Sequence, residues 1–217
     1  MMKKQLFFLL FTVVTSFPLF AQFPGSTHSG NGWHLRGECE ITMKNGEKIQ
    51  FDGKIKNTEI EGSGIDYKDV DFITLVKTFY TGAFQRFNGT VYRYVNIKDK
   101  PCLLQIRAEY PRCSFYTNRP HSGTGSQTGL EMLEDLFMIK DGAKSAVKVQ
   151  LGANYKNIKT LFPDCPRLIQ YQKDKTMRGR LSYRGIAYLY SNSCTEAMTE
   201  DEKLRDFEIL GNLVNQK

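Results

Sequence analysis

Residues 33–56 read WHLRGECEITMKNGEKIQFDGKIK, and their alternation is the clearest structural signal in the chain. Apolar or small residues occupy the odd positions from Trp33 to Met43 and again from Ile49 to Ile55, whereas the even positions are mostly polar. Successive side chains of a strand point to opposite faces of a sheet. The pattern therefore predicts two half-buried strands joined by a turn around Asn45-Gly46.

The length of this turn follows from the rule that facing residues of a hairpin share a face. A two-residue turn at positions 45–46 would place an apolar residue opposite a lysine. A three-residue turn, Lys44–Gly46, places Ile41 opposite Ile49 and Cys39 opposite Phe51. We therefore predict the three-residue turn, with its glycine in the left-handed region as a bulge.

The first residues have the features of a secretory signal peptide. Lys3 and Lys4 precede an almost wholly apolar run at 6–20, and Ala21 gives a cleavage site. The alternative is an uncleaved anchor, but the run is shorter than the roughly 20 residues that span a bilayer. We predict a signal peptide at 1–21, a flexible leader at 22–32, and a secreted or periplasmic chain that does not span the membrane after signal removal.

Composition and charge are those of an ordinary globular protein. The 217 residues are 41% hydrophobic and 24% charged, and the net charge of +7 falls to +5 when Lys3 and Lys4 are removed. This mild excess, in an exported chain, argues against a nucleic-acid partner. The densest basic region offers a possible anion-binding surface, although a solvated helical surface is the simpler explanation; its residues are Lys156, Lys159, Arg167, Lys173, Arg178 and Arg180.

The pattern of the remaining chain changes near residue 152. Before it, an apolar run at 72–76 predicts a central strand, Thr90–Ile97 and 104–110 predict further strands, and Asp141-Gly142 favours a second hairpin. We expect an α+β fold. A β-rich domain at 33–151, built as a twisted antiparallel sheet or a small open barrel, is followed by a helical segment at 152–217 packed on it.

Helix signals in the second part are specific. Asn154 is a candidate cap for a helix over 155–161, Pro166 suits the first position of a helix over Pro166–Lys173, and 179–191 could form another. Thr199 and Glu202 form a capping box before the last helix. We expect one face of that helix to pack on its own domain; its apolar residues are Leu204, Phe207, Leu210, Leu213 and Val214.

Five cysteines follow the signal peptide, and two disulfides with one free cysteine allow 15 arrangements. Cys165–Cys194 is favoured because it would tie together the two ends of the helical segment. Cys102–Cys113 is the second candidate, closing a short loop, and Cys39 reads as a buried apolar residue.

Several short motifs together resemble a family of exported, mostly uncharacterised proteins common in Bacteroidetes-type bacteria. They are Phe20-Ala21-Gln22, Met43-Lys44-Asn45-Gly46-Glu47, Gly53-Lys54-Ile55, Leu161-Phe162-Pro163-Asp164-Cys165-Pro166 and a late Cys194. The resemblance implies export and a β-rich front with a helical end. It carries no catalytic residues across.

No pattern predicts a catalytic, cofactor-binding or metal-binding residue, so we expect a non-catalytic binding protein. Its partner would be an envelope protein or an anionic glycan. One alternative is a hydrolase of envelope polymers using Asp66, Asp69 and Asp71, of which the last two would share a strand face. Another is a neutraliser of a secreted toxin.

Aromatic residues in the strands are read as core rather than as a ligand platform; they are Phe79, Tyr80, Phe84, Phe87, Tyr92 and Tyr94.

Overall fold

The computed structural model describes residues 35–78, 88–118, 135–194 and 199–215. Eight strands are followed by five α-helices. The strands are β1 (Leu35–Met43), β2 (Lys48–Ile55), β3 (Val70–Thr78), β4 (Thr90–Ile97), β5 (Lys100–Tyr110), β6 (Cys113–Thr117), β7 (Leu136–Lys140) and β8 (Val147–Val149). The helices are α1 (Ile158–Leu161), α2 (Pro166–Lys173), α3 (Lys175–Arg178), α4 (Tyr183–Asn192) and α5 (Glu200–Asn215).

All eight strands form one antiparallel sheet in the order β2-β1-β3-β4-β5-β6-β7-β8. The chain makes one hairpin, returns to the far side of β1 as β3, and then continues strand by strand to β8. The sheet stays open, with β2 at one edge and β8 at the other. The α+β prediction is confirmed, and of its two alternatives the open sheet is the correct one. The predicted signal peptide and leader lie outside the described residues.

The first hairpin has the predicted register and turn. Cys39 lies opposite Phe51 and Ile41 opposite Ile49. The Met43 N–H donates to the Glu47 carbonyl at 2.8 Å, which closes a loop of three residues, and Gly46 has a φ of +88°. Glycine takes this positive φ without the steric cost that a Cβ would add.

The two faces of the sheet bury different clusters. On one face, β1–β4 bury a group that includes Ile41 and Ile73, and further along the same face Phe115 of β6 packs against the helices. The neighbouring Tyr116 points the opposite way, since adjacent strand residues alternate, and belongs to a third cluster with Leu104 and Phe137. Within the described ranges, the helices therefore cover the β5–β8 end of one face.

The central position predicted for β3 is confirmed, because β1 and β4 flank it. The apolar run nevertheless leaves Val76 exposed and Phe72 only half-buried. No helix packs on that side of β3 in the described part of the chain.

The helices begin where the sequence places good caps. Pro166 is the first residue of α2, the Ser182 hydroxyl accepts the Gly185 N–H ahead of α4, and Thr199 and Glu202 make the reciprocal hydrogen bonds of the predicted capping box. Asn154 does not cap α1 as predicted, since it lies in a 3-10 turn with a φ of +53°. No helix in the described ranges is both long and apolar enough to cross a membrane.

Candidate functional site

A groove of about 250 Å³ lies between α3 and α5. Its apolar lining comes from Met177, Leu204 and Phe207. Its polar rim consists of Asp174, Thr176, Glu200 and Lys203. An apolar floor with a few charged groups at the rim is the usual composition of a protein's binding sites.

Asp174 fixes one wall of this groove. Its carboxylate is the N-cap of α3, accepting the N–H groups of Thr176 at 2.9 Å and Met177 at 3.2 Å. It also binds the Lys203 ammonium of α5 at 3.0 Å. The hydrogen bond from Lys203, followed by the one from the Met177 N–H, lowers the pKa of Asp174. One carboxylate thus starts α3 and holds it against α5.

A buried charge pair anchors α5 from the other side. Arg167 of α2 is 2% exposed and Asp206 of α5 is 1% exposed, and they meet at 3.2 Å. The Tyr171 hydroxyl donates to the same Asp206 oxygen at 2.7 Å. Glu202 lies 3.4 Å from the second terminal nitrogen of Arg167. Two residues on α2 therefore clamp one carboxylate on α5.

The burial of Asp206 determines which way Leu204 points. Residues two apart on an α-helix are separated by about 200°, so a buried Asp206 turns Leu204 outward. Leu204 is 61% exposed, whereas Leu210, one turn beyond Asp206, is completely buried. The predicted packing of one apolar face of α5 is therefore wrong at Leu204 and at Val214, which is also exposed. Phe207 and Leu213 of the same face are half-buried.

The predicted anion-binding surface loses Arg167 to internal packing. Arg167 is buried with Asp206, so this assignment is corrected. Arg180 is half-buried and lies over the Phe207 ring, with its guanidinium carbon 4.2 Å from the centroid. It also covers α5 at Gly211, where an added Cβ would come within 2.5 Å of it. Anion binding by Arg180 stays a prediction.

The other four basic residues are exposed or half-buried. Lys156, Lys159 and Lys173 are exposed, and the half-buried Arg178 donates to the Gln172 carbonyl at 3.5 Å. Anion binding by these four residues stays a prediction.

One of the two predicted disulfides is present. Cys165 and Cys194 are bonded, and they tie the start of α2 to the segment that follows α4. Cys102 and Cys113 are free, so the second pairing is wrong. Cys102 pairs with Val95 near the start of β5, and Cys113 lies opposite Tyr110 at its end. Eight residues of strand separate the two sites by roughly 26 Å, far beyond disulfide reach.

The buried thiols are unsuited to nucleophilic chemistry. Burial, with a smaller contribution from Asp52, raises the pKa of Cys39 to about 12. Burial likewise raises the pKa of Cys113 to about 12. Both groups are thiols at neutral pH, and a thiol is a weak nucleophile compared with its thiolate.

The three aspartates of the hydrolase alternative have separate structural positions. Asp66 caps the 3-10 helix Tyr67–Asp69 by accepting the Lys68 N–H, and Asp69 ends that helix. Asp71 lies in β3 and binds Arg93 at 3.0 Å. The expected shared strand face for Asp69 and Asp71 is wrong, because β3 begins only at Val70.

A second polar cluster joins the sheet to the helices. The Tyr190 hydroxyl of α4 lies 2.6 Å from Asp141 and 2.5 Å from Asp164, and Arg112 donates to it at 3.0 Å. Burial raises the pKa of Tyr190, and the two carboxylates raise it further. Burial alone would raise the pKa of Asp164, but hydrogen bonds from Lys140 and Tyr190 outweigh it and hold that pKa at about 2. This cluster fastens two sheet turns to α4.

The aromatic residues assigned to the core are confirmed where the structure describes them. Tyr92 is buried, and the half-buried Tyr94 donates its hydroxyl to the Lys56 carbonyl at 3.1 Å. The other four, Phe79, Tyr80, Phe84 and Phe87, lie outside the described residues. Among the described residues no group of three or more His, Cys, Asp or Glu is placed to hold a metal ion.

The chain matches no protein-family model, and comparisons with curated proteins and with solved structures also return no match. Its function must therefore be inferred from its own geometry.

Proposed function

We propose that the protein is an exported, non-catalytic binding protein whose α3–α5 groove receives an apolar side chain of an envelope protein. The observation that carries this proposal is Leu204, which is 61% exposed at the groove beside Phe207. An exposed leucine on its own is common on protein surfaces. Here it borders a concavity with two other apolar side chains, which is the arrangement of a contact surface.

The orientation of Leu204 is held by stable contacts. Rotating α5 to bury Leu204 would move Asp206 away from Arg167 and Tyr171, leaving a buried guanidinium without its carboxylate. That loss costs several kcal/mol, more than the roughly 2 kcal/mol gained by burying one leucine. The groove therefore keeps its exposed leucine in the free protein.

The rim charge indicates the chemistry of the ligand. Asp174 is neutralised by Lys203, and Glu200 remains at the rim without an ion pair in the described part of the chain. The residues that line the groove thus carry one excess negative charge. A segment that presents an apolar side chain beside a lysine or arginine complements it, since opposite charges across an interface favour the correct partner.

Two further observations support the proposal. The Cys165–Cys194 disulfide is typical of proteins in oxidising compartments, which agrees with the predicted signal peptide. Two of the three aspartates named for a hydrolase are engaged, Asp66 in a helix cap and Asp71 in an ion pair, and the buried thiols have raised pKa values. These groups stabilise the fold, and we assign them no catalytic role.

Affinity capture from an envelope extract tests the proposal with three forms of the secreted chain. The wild type should retain one specific protein, identified by mass spectrometry, and Leu204→Asp should lose it with at least a tenfold weaker affinity for the purified partner. The matched control is Val147→Asp, because Val147 is 56% exposed on β8, away from the groove, and should bind like the wild type.

Two results would overturn the proposal. One is a captured partner that binds the Leu204→Asp and wild-type chains equally well. The other is turnover of peptidoglycan or another envelope polymer with no protein retained. A captured toxin whose activity is blocked would agree with the binding function and identify the partner as the toxin of the neutraliser hypothesis.

A further inference from the structure

The open edge of the sheet at β2 presents a regular set of backbone groups. Among the described strands, β2 has a neighbour, β1, on one side only. The Met43–Glu47 hydrogen bond and the register of the hairpin direct the N–H and C=O groups of the odd-numbered residues of β2 toward β1. The even-numbered residues must then direct theirs outward. Lys54 and Lys56 do so, since the Lys54 carbonyl accepts the Glu61 N–H and the Lys56 N–H donates to Glu59.

The outward groups are open over only part of the strand. The segment 59–61 folds back beside residues 54–56 and covers that end of the edge. Residues 47–53 remain uncovered by any strand in the described ranges. Within them, Lys48, Gln50 and Asp52 offer three outward pairs of donors and acceptors. An edge of this kind is a template for pairing with another strand.

The sequence of this open stretch is complementary to itself. We propose that two copies of the chain pair antiparallel through their β2 edges, with Gln50 of one copy opposite Gln50 of the other. In this register Lys48 lies opposite Asp52 of the second copy, and Ile49 lies opposite its Phe51. The two-fold symmetry repeats each pair, as an isologous interface requires.

Backbone geometry and side-chain chemistry agree on this register. The hydrogen-bonded pairs of the new ladder must be even-numbered, and Lys48–Asp52 and Gln50–Gln50 satisfy that condition. Ile49 and Phe51 then form the non-hydrogen-bonded pairs, where facing side chains are closest. Shifting the register between the two β2 strands in one direction places Lys48 opposite Lys54 of the second copy. Shifting it in the other direction places Asp52 opposite Gly46. Both shifts lose the two ion pairs.

The side chains are available for these contacts. Asp52 is exposed and has no ion pair in the described part of the chain. Lys48 is exposed and binds Glu40 at 2.8 Å through one of its three ammonium hydrogens, so it can also bind Asp52 of a second copy. Ile49 and Phe51 are half-buried, and a second strand would cover them further. The result is a continuous sheet of sixteen strands, eight from each copy.

Lysines on an edge strand usually prevent its pairing with other strands. Here they favour one pairing partner, the β2 edge of a second copy. A lysine facing a strand of different sequence would be left without a counter-charge or would meet a like charge. Facing its own strand in reverse, each Lys48 meets an aspartate. The charges therefore disfavour foreign and shifted strands and permit this one, which is how interfaces obtain specificity.

Sedimentation velocity of the secreted chain over two decades of concentration tests the proposal. The wild type should pass from monomer to dimer. Gln50→Pro removes the outward N–H and, with the side chain, the amide hydrogen bond to Glu40 at 3.3 Å. An edge strand tolerates proline, so the chain should fold and stay monomeric at all concentrations. Gln50→Val changes the same side chain and keeps the N–H, so it should dimerise within about threefold of the wild type.

Charge reversal tests the register and does not depend on the proline variant. Asp52→Lys sets two lysines opposite each other and should weaken the dimer at least tenfold. The double variant Lys48→Asp/Asp52→Lys exchanges the charges and should restore the dimer to within about threefold. Thermal unfolding confirms that each variant is folded.

Three results would overturn self-pairing. They are a wild-type chain that remains monomeric throughout, a dimer indifferent to both Gln50→Pro and Asp52→Lys, and a dimer lost in Asp52→Lys but not restored by the double variant. A monomer that instead adds an extended peptide of another protein along residues 47–53 would also overturn it.

Discussion

Replacing Asp206 by alanine should destabilise the protein more than any other single change of a charged residue on α5. Asp206 is 1% exposed and receives hydrogen bonds from Arg167 at 3.2 Å and Tyr171 at 2.7 Å. Its removal leaves the buried guanidinium with only Glu202, 3.4 Å from one terminal nitrogen, and this loss of its buried partner costs about 3–5 kcal/mol. Typical domains have a total unfolding free energy of about 5–15 kcal/mol.

Urea unfolding of the disulfide-intact chain measures this loss. With a denaturant slope of about 2 kcal/mol/M, Asp206→Ala should lower the unfolding midpoint by about 1.5–2.5 M. Glu208→Ala is the matched control, because it removes an exposed carboxylate from the same helix. Its unfolding free energy should stay within about 0.5 kcal/mol of the wild type.

The double variant Arg167→Met/Asp206→Leu separates two explanations. The Nε and second terminal nitrogen of Arg167 make no hydrogen bond in the described part of the chain, so the native pair is incompletely satisfied. Replacing both partners by apolar residues should therefore cost much less than Asp206→Ala alone. Equal urea midpoints for Asp206→Ala and Glu208→Ala would contradict a buried-charge penalty, as would a double variant at least as unstable as Asp206→Ala.

Three further predictions concern the disulfide, the Asp164 carboxylate and Gly37. Reducing the Cys165–Cys194 bond, which closes a 29-residue separation, should lower the unfolding free energy by about 3.5 kcal/mol in the loop-entropy model; an unchanged urea midpoint in reductant would contradict this. Because the folded pKa of Asp164 is about 2 against an ordinary 3.8, its contribution is complete above about pH 4 and disappears as the pH falls toward 2. This half-exposed group should contribute about 1 kcal/mol after solvent screening, and Asp164→Asn should flatten that part of the pH–stability curve. Gly37→Ala should cost at least 2 kcal/mol in urea unfolding, because its Cβ would lie 2.2 Å from a backbone carbonyl of β3; Gly62→Ala, in open space, should cost only about 1 kcal/mol for its positive φ, and equal losses would refute the clash.

The first hairpin could be predicted in detail because its determinants are local. Its register depends on which residues share a face, and its turn depends on a glycine that accepts a positive φ. Both pieces of information lie within 24 consecutive residues. The prediction therefore did not require any knowledge of what packs on the sheet.

The burial of β3 could not be predicted in the same way. Its apolar run correctly indicated an interior strand, but the exposure of Val76 depends on which part of the sheet the helices cover. That coverage is set by contacts of α4 with β5 and β6, far along the chain. A local pattern reports how apolar a strand is, and the packing partner decides how much of it is buried.

The candidate groove was missed for a related reason. An aspartate inside an amphipathic helix is ordinarily assigned to the solvent face, so Asp206 was left out of the predicted apolar stripe. Asp206 is four residues before the buried Leu210 and shares its face, which was the available signal. Its partner Arg167 lies 39 residues earlier, and no local rule connects them.

The turn that fixes the core of the first hairpin also fixes the chemistry of its outer edge. Three turn residues direct the odd-numbered backbone groups of β2 toward β1 and the odd-numbered side chains toward the interior. The same parity leaves Lys48, Gln50 and Asp52 with outward backbone groups and exposed side chains. Core and edge are therefore coupled. An insertion or deletion that changed the turn length would reverse both the buried face of β2 and the direction of its backbone groups. Gln50→Pro alters the edge and leaves the buried face as it is. The edge can therefore be tested separately from the fold.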